Sequence, residues 1–538
     1  MLLLIPIGLL LVASLAVFIL FKFRPKYGTS WLIAAVASTL AWLTVFYLRL
    51  RLPTTLSVLS WEGSTGILWG DFSLLLDYDS WPYTLALTTI TLAVILTDAA
   101  RTRFDSTPKS WSASLAITAL GLAAIQSGTS AMMMITWVIV DLLELVYLLG
   151  TDEAAGFARR IVLSFGIRIA SILTLILATA INWQLVGTSE LTRIAPEAGF
   201  VFLLAAGLRL GVLPLNLPFL QEPSLRRGVG NIIRLAPVAA SLSLLARLPE
   251  GIITPNLNSW LPLFHGLLSI AALYAAIRWL TATDIIEGRP YWIITWAALA
   301  TASVLNGAPG ASLAWGIALI LPGSLLFLYY PRIQRMNFLL YFGLIGLIGL
   351  PFTPIASGWS GLTANGLNIW TFFYVISHAL MVLGYLKLSL EQGGETKVLE
   401  SWARLVYPLG LIIIVQSILA MGLIGWPGSL TLGEWWLPII STILILTVFY
   451  FIQRAGFDTA NIKLPSSSGL TNVLNWILPR IEPVFRLEWV YQLAWRIFSL
   501  LSKILTAFTT ILEGEGGVLW TILLLVLLIS LLISGGGN

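Results

Sequence analysis

The stretch GLRLGVLPLNLPFL, Gly207 to Leu220, decides how the rest of the chain is read. It is apolar enough for a membrane helix, yet it carries Arg209 near its middle and prolines at Pro214 and Pro218. An arginine at the centre of a bilayer helix costs about 2.5–3.5 kcal/mol on insertion scales. An interior proline costs about 3 kcal/mol in a soluble helix, because a hydrogen bond is lost. A segment that keeps both is read as a helix broken within the membrane.

The surrounding composition agrees. Of 538 residues, 58% are hydrophobic and only 10% are charged, with a mean hydropathy of +0.91. Soluble domains carry about 25% charged residues, so this is a polytopic membrane protein. The absence of cysteine excludes iron–sulfur clusters and thiolate zinc sites. The two histidines, His265 and His378, are too few for haem or a histidine-rich metal centre. No metal and no cofactor are expected. With no GxGxxG motif after a strand, a redox enzyme in its own right is the least expected class. The net charge of +5 lies in loops rather than on one basic face, which argues against nucleic acid as a partner.

Apolar runs predict about sixteen spans: 2–21, 30–48, 82–99, 112–129, 131–150, 161–185, 198–220, 230–247, 259–281, 291–306, 309–330, 336–357, 367–389, 402–426, 435–453 and 517–534. The first has its basic flank, Lys22, Arg24 and Lys26, behind it, the reverse of a signal peptide. It is therefore read as a retained helix with the N-terminus outside. On that topology the inner loops hold most of the basic residues, among them Arg101, Arg103, Arg159, Arg160, Arg226, Arg332, Lys397 and Arg454. The outer loops hold Arg49, Arg51, Arg193 and Arg247 beside acids such as Glu62, Asp77, Asp79 and Glu434. The positive-inside rule supports the arrangement.

Two connections are long. Residues 51–81 are outside and read as short strands or a hairpin. Residues 455–515 are inside, and there Glu488, Gln492, Arg496, Ser499 and Lys503 recur every three or four positions. That periodicity predicts an amphipathic lateral helix from Pro483 to about Leu512, lying along a membrane surface or across neighbouring helices.

The break after Gly207 has a counterpart in IGLPFTPIASGWSG, Ile348 to Gly361, with Pro351 and Pro354. These are the seventh and twelfth spans, five apart. Five is odd, so five-span units at 4–8 and 9–13 would insert in opposite orientations. Paired interrupted helices in inverted repeats mark an ion or substrate path near the midplane. The expected fold is thus all-α: about sixteen transmembrane helices, two inverted five-helix repeats with broken helices 7 and 12, and the lateral helix before the last span. It divides into 1–111 (three helices and the outer hairpin-like loop), 112–248 and 249–392 (the two repeats), 393–454 (two helices), 455–515 (inner linker and lateral helix) and 516–538 (an anchor helix).

At these residues the sequence resembles the antiporter-like membrane subunits of respiratory complex I, Mrp cation/proton antiporters, membrane hydrogenases and bicarbonate-uptake complexes. Gly207, Arg209, Leu213, Pro214, Glu222, Pro223 and SLLARL (Ser243 to Leu248) fall where that family has a Gly-Lys pair, a Leu-Pro break, a Glu/Gly-Pro loop and a helix ending in LLAR. WVIVDLLELVYLLG, Trp137 to Gly150, resembles the segment holding the family's buried glutamate. The span count and the amphipathic stretch resemble the longest, distal type of subunit. The resemblance covers about helices 2–14.

Charges inside the spans, away from the last few residues at each end, are Asp141, Glu144, Arg168, Arg209 and Arg234, all in the first repeat. Asp141 and Glu144 are three apart and share a helix face; Arg168 and Arg209 are their expected partners. Such a cluster serves as a proton or cation path, or as a static ion-pair staple. The resemblance implies a lysine at 209 that exchanges its proton. Arginine stays protonated and cannot do so. The family's histidine in helix 8 falls near Ile233 or Arg234, and its lysine after the second break falls near Trp359. Its His/Lys positions in helix 11 fall in ALILPGSLLFL, Ala318 to Leu328, which has no ionisable group. His378 is the one titratable side chain deep in the second repeat, and it is read first as a packing residue.

The expected function is an antiporter-like subunit of a multisubunit, complex I-related assembly with degenerate proton pumping and a partly structural role. It is not catalytic alone, its redox chemistry belonging to partner subunits. Its partners are other membrane subunits and lipids, with protons or monovalent cations as cargo. It is placed in a bacterial cytoplasmic membrane with the amphipathic segment on the cytoplasmic side. The alternatives are an active proton or cation translocator using Asp141 and Glu144, and the membrane half of an inorganic-carbon (bicarbonate) uptake complex.

Overall fold

A computed structural model describes residues 1–24, 29–59, 72–100, 107–150, 155–216, 227–329, 336–350, 352–390, 401–430 and 436–454, with 492, 496, 499, 500, 502, 503, 506 and 521–530 beyond them. The chain forms two compact units, Met1–Ser468 and Gly469–Asn538. The first unit holds helices α1 (Leu4–Phe23), α2 (Ser30–Leu48), α3 (Trp81–Asp98), α4 (Pro108–Ile125), α5 (Ser130–Leu149), α6 (Ala155–Val186), α7 (Pro196–Leu210) and α8 (Arg227–Ala246). These are followed by α9 (Leu261–Thr281), α10 (Ile285–Leu305), α11 (Pro309–Leu328), α12 (Phe338–Ile348), α13 (Gly358–Thr363), α14 (Ile369–Leu390), α15 (Ser401–Ile424) and α16 (Trp436–Arg454).

A helix lies in every apolar run read from the sequence, and the class is all-α and membrane-embedded. Among the described residues, nine helices are long and apolar enough to cross a membrane by length and composition. In the second unit, the seven described residues between 492 and 506 and the run 521–530 are helical. The continuity of the lateral helix over 483–512 lies outside the described residues.

Local chemistry sets the helix ends. Thr107 and Ser110 close a reciprocal capping box ahead of α4, with Pro108 inside its first turn. Thr129 caps α5 by accepting from Met132 N at 3.4 Å. Between α2 and α3, strands β1 (Thr54–Leu59) and β2 (Phe72–Leu76) pair antiparallel.

The helices α3, α8, α10 and α11 form the centre, and α8 is buried from Gly228 to Ala246. Helices α1, α2, α5, α6, α9, α15 and α16 present exposed Leu, Ile, Val and Phe side chains, the pattern of a lipid-facing shell. Helix α3 is central yet not among the nine apolar candidates. Its threonines explain why: Thr84, Thr88, Thr91 and Thr97 donate to the carbonyl four residues back. Thr89 and Thr91 also meet Ser417 of α15 and Thr118 of α4. Polar groups satisfied in this way tie helices together where apolar attraction between helices is weak.

Both expected breaks exist. Helix α7 stops at Gly211 (φ 79°) and α12 stops at Gly349 (φ 83°), each a left-handed C-terminal glycine. Pro214 and Pro354 lie in the non-helical stretches that follow; Pro218 and Pro351 lie outside the described residues. The expected seventh span reached to 220, but α7 ends ten residues earlier. The expected twelfth span is α12 plus the short α13. Phe352 takes a positive φ of 67° between them, and α15 crosses there so closely that a Cβ on Gly422 would meet the Phe352 carbonyl at 1.9 Å.

A buried ion-pair cluster as candidate functional site

The cluster is assembled from helices α5 to α8. Along α5, Trp137, Asp141 and Glu144 follow one another at i, i+4 and i+7, so they share a face. Helices α6, α7 and α8 present Arg168, Arg209 and Arg234 to it. Arg209 grips Asp141 with both terminal nitrogens, Nη1 to Oδ2 at 2.6 Å and Nη2 to Oδ1 at 2.5 Å. Arg168 spans both acids: Nη1 reaches Asp141 Oδ1 at 3.1 Å and also Glu144 Oε2, while Nη2 donates to Glu144 Oε1 at 2.9 Å. Arg234 donates to Glu144 Oε1 at 3.0 Å.

All five charged residues read from the sequence are therefore brought into one network, and each is 6% exposed or less. Two carboxylates facing three guanidinium groups satisfy the demand that buried charge be paired and hydrogen-bonded. The division of partners is specific. Arg209 binds Asp141 alone and Arg234 binds Glu144 alone, while Arg168 bridges the two acids.

Trp137 is a member that sequence reasoning missed. The Arg209 guanidinium carbon lies 4.6 Å from the centre of its ring, so the cation is held between a carboxylate and an aromatic face. Its position one turn before Asp141 was the available signal.

The surroundings of α14 are organised differently. His378 on α14 is fully buried, and both ring nitrogens are engaged: Nε2 with the Leu347 carbonyl at 2.8 Å and Nδ1 with Ser441 Oγ at 2.7 Å. Since a carbonyl only accepts, Nε2 carries the hydrogen. Three tryptophans enclose the ring edge-on: Trp359 at 4.8 Å, Trp296 at 5.6 Å and Trp315 at 6.1 Å between ring centres. Trp359, where the resemblance implied a lysine, is part of this wall. His378 is far from the five-charge cluster in both sequence and bonding.

Beside the C-terminal end of α8 lies a second charged group that the sequence reading named only as loop residues. Arg247, just past α8, sits 3.2 Å from Asp77 Oδ2 and donates to the carbonyls of Ser127 at 2.6 Å and Leu75 at 3.1 Å. Asp77 Oδ1 accepts from Ser80 N at 2.8 Å and Ser80 Oγ at 2.7 Å. Burial pushes the Asp77 carboxyl up, but Arg247 and the Ser80 bonds outweigh it and hold it below its ordinary value. Asp79 has weaker support. Burial first, then the Asp77 charge, pushes it from 3.8 to about 6, against the pull of Arg247.

No protein-family model matches the chain, and no curated protein matches it. Solved structures do. A chain from the membrane-bound sulfane sulfur reductase, an archaeal respiratory membrane complex, superposes with a TM-score of 0.67 at 14% identity, covering 98% of this chain and 100% of that one. A chain of the Mrp complex from Dietzia sp. gives 0.69 at 15% identity, covering 100% of this chain and 63% of that one. A chain of respiratory complex I from Thermus thermophilus gives 0.61 at 18% identity, covering 83% and 100%.

The class defined here is an all-α integral membrane protein with a buried charge network beside a broken helix. Its fold is the one shared by chains of these respiratory and Mrp complexes, in agreement with the antiporter-like resemblance in the sequence.

Proposed function

We propose that the chain is an antiporter-like membrane subunit of a multisubunit, complex I-related assembly, in which the five-charge cluster acts as a structural lock and proton pumping is lost or weakened. The observation that carries this reading is the two-pronged grip of Arg209 on Asp141. A lysine in that place can give up its proton when desolvated. An arginine stays protonated, and a bidentate carboxylate holds it still. The second repeat supports the same reading, because its buried His378 is held by two hydrogen bonds inside a tryptophan wall.

On this reading 112–248 and 249–392 are the inverted repeats, the lateral helix binds neighbouring membrane subunits and lipid, and the N-terminus faces outside a bacterial cytoplasmic membrane. The deciding experiment is ion flux in vesicles containing the intact complex, with and without Asp141→Asn and Glu144→Gln. Weakened assembly with unchanged flux per assembled complex agrees with a lock, because the amides leave three buried guanidinium groups without a carboxylate. Loss of flux while the complex still assembles would establish an active translocator instead.

A further inference from the structure

The turn after β2, Asp77 to Trp81, is gripped from two sides. On one side Arg247, just past α8, sits 3.2 Å from Asp77 Oδ2 and donates to the Leu75 carbonyl at 3.1 Å. On the other, the Arg49 guanidinium carbon lies 5.0 Å from the centre of the Tyr78 ring and 4.9 Å from that of Trp81. Trp81 Nε1 donates to the Val45 carbonyl of α2 at 2.9 Å, so the ring facing the cation is itself fixed. Within the turn, Trp81 N donates to Asp77 O at 3.0 Å and Ser80 N to Asp77 Oδ1 at 2.8 Å. The turn is one stiff piece.

Arg49 reaches further. Its Nη2 donates to the carbonyl of Ile424, the last residue of α15, at 2.6 Å. Carbonyls at a helix end lack partners within the helix, and a cation is favoured there. Two residues earlier stands Gly422, where a Cβ would meet the Phe352 carbonyl oxygen at 1.9 Å and Thr353 Cα at 3.3 Å. Gly422 is thus a notch in which the backbone of the second break is seated. Phe352 holds a φ of 67° there, which a bulky residue keeps only where its surroundings impose it. Its side chain is 60% exposed and gives little anchorage. The seat on α15 does the holding.

We infer that the turn Asp77–Trp81 is a clasp that joins the end of α8 to the second break. Arg247 holds the turn, the rings of the turn hold Arg49, Arg49 holds the end of α15, and Gly422 seats Phe352. Phe352 is the element with two arrangements, seated and released, that such coupling requires. Helix α8 also carries Arg234, so the ion-pair cluster and the second break share one mechanical linkage. The clasp stands whether or not the complex conducts ions.

The test is hydrogen–deuterium exchange, read by mass spectrometry on the assembled complex. The reporters are the hydrogen-bonded amides of Thr353, Ala356 and Gly358 in the second break. Arg247→Met and Arg49→Met should each speed their exchange by about threefold or more. Amides beside the Ser14–Ser112 contact of α1 and α4 should keep the wild-type rate. Gly422→Ala unseats Phe352 directly, so adding Arg247→Met to it should bring no further acceleration. Wild-type exchange of the reporters in both methionine variants overturns the clasp, as does full additivity of Arg247→Met with Gly422→Ala. A rise that includes the α1 and α4 amides is general loosening and overturns it too. If Arg247→Met fails to assemble, Arg49→Met decides alone, since Arg49 is half-buried and stands outside the ion-pair cluster.

Discussion

Replacing Arg209 by methionine tests the lock most directly. Asp141 Oδ2 has Arg209 Nη1 as its hydrogen-bond donor, and Oδ1 is shared by Arg209 Nη2 at 2.5 Å and Arg168 Nη1 at 3.1 Å. Arg209→Met leaves Oδ2 without that donor and leaves Oδ1 with Arg168 alone, in a carboxylate 1% exposed. Breaking a buried pair from one side costs about 3–5 kcal/mol, or about two to three and a half powers of ten in the folded fraction. Adding Asp141→Leu removes the stranded carboxylate. Arg168 then keeps its two-nitrogen contact with Glu144. The double variant should therefore recover to within about 1 kcal/mol of wild type, since a buried pair exchanged for apolar groups is often neutral. The assay is the fraction of complex surviving a heating series, read by size-exclusion chromatography in detergent, for wild type, both single variants and the double. Wild-type stability of Arg209→Met, or a double variant as weak as the sum of the singles, would falsify the pairwise lock.

Other predictions are simpler to state. Arg209→Lys should assemble, at a loss of about 1–2 kcal/mol for the missing second prong, and proton flux should not appear, because Trp359 still stands near where the resemblance implied a second lysine. A gain of flux would show that the second repeat is no barrier. Near Arg247, the folded state holds the Asp79 proton up to about pH 6 whereas the unfolded chain releases it near 3.8. The folded state then binds more protons between those values, so wild-type stability falls as pH rises through that window, by about 3 kcal/mol for a shift of this size. Asp79→Asn should lack that fall and be the more stable form at pH 8; parallel pH–stability curves for the two would refute it. Deleting residues 484–512 should release or loosen the adjacent subunit, and unchanged co-purification would count against a lateral helix.

Much of the fold was legible because membrane helices obey local rules. Apolar length located the helices, and Gly and Pro at 211–218 and 349–354 marked where two of them stop. What local pattern could not give was length within a broken span. Proline alone does not say that Gly211 ends α7 before Pro214 is reached, or that α13 resumes after Phe352. Among site residues, charge within an apolar run singled out all five members of the cluster, since burying them needs a reason. Their pairing was only partly readable. Arg168 and Arg209 were expected partners of the acids, but the contact of Arg234 with Glu144 and the stacking of Trp137 depend on helix rotation. The wall around His378 was not readable at all. It gathers Trp296, Trp315 and Trp359 from α10, α11 and α13, and an apolar residue in an apolar chain sends no signal of where it packs.

The left-handed glycines at the two breaks carry one more implication. A helix that stops inside a bilayer abandons carbonyls where no lipid can serve them, so each break must recruit its own donors. The first does so from nearby: Val212 N and Leu213 N serve Gly207 O, and Asn216 Nδ2 serves Leu208 O. The second turns to another helix, where His378 Nε2–H serves Leu347 O. An intramembrane histidine of this kind is kept for the direction of its N–H rather than for its charge. A glutamine or asparagine long enough to reach Leu347 would do the same work, and counting titratable groups along a membrane path would then mistake a hydrogen-bond repair for a relay.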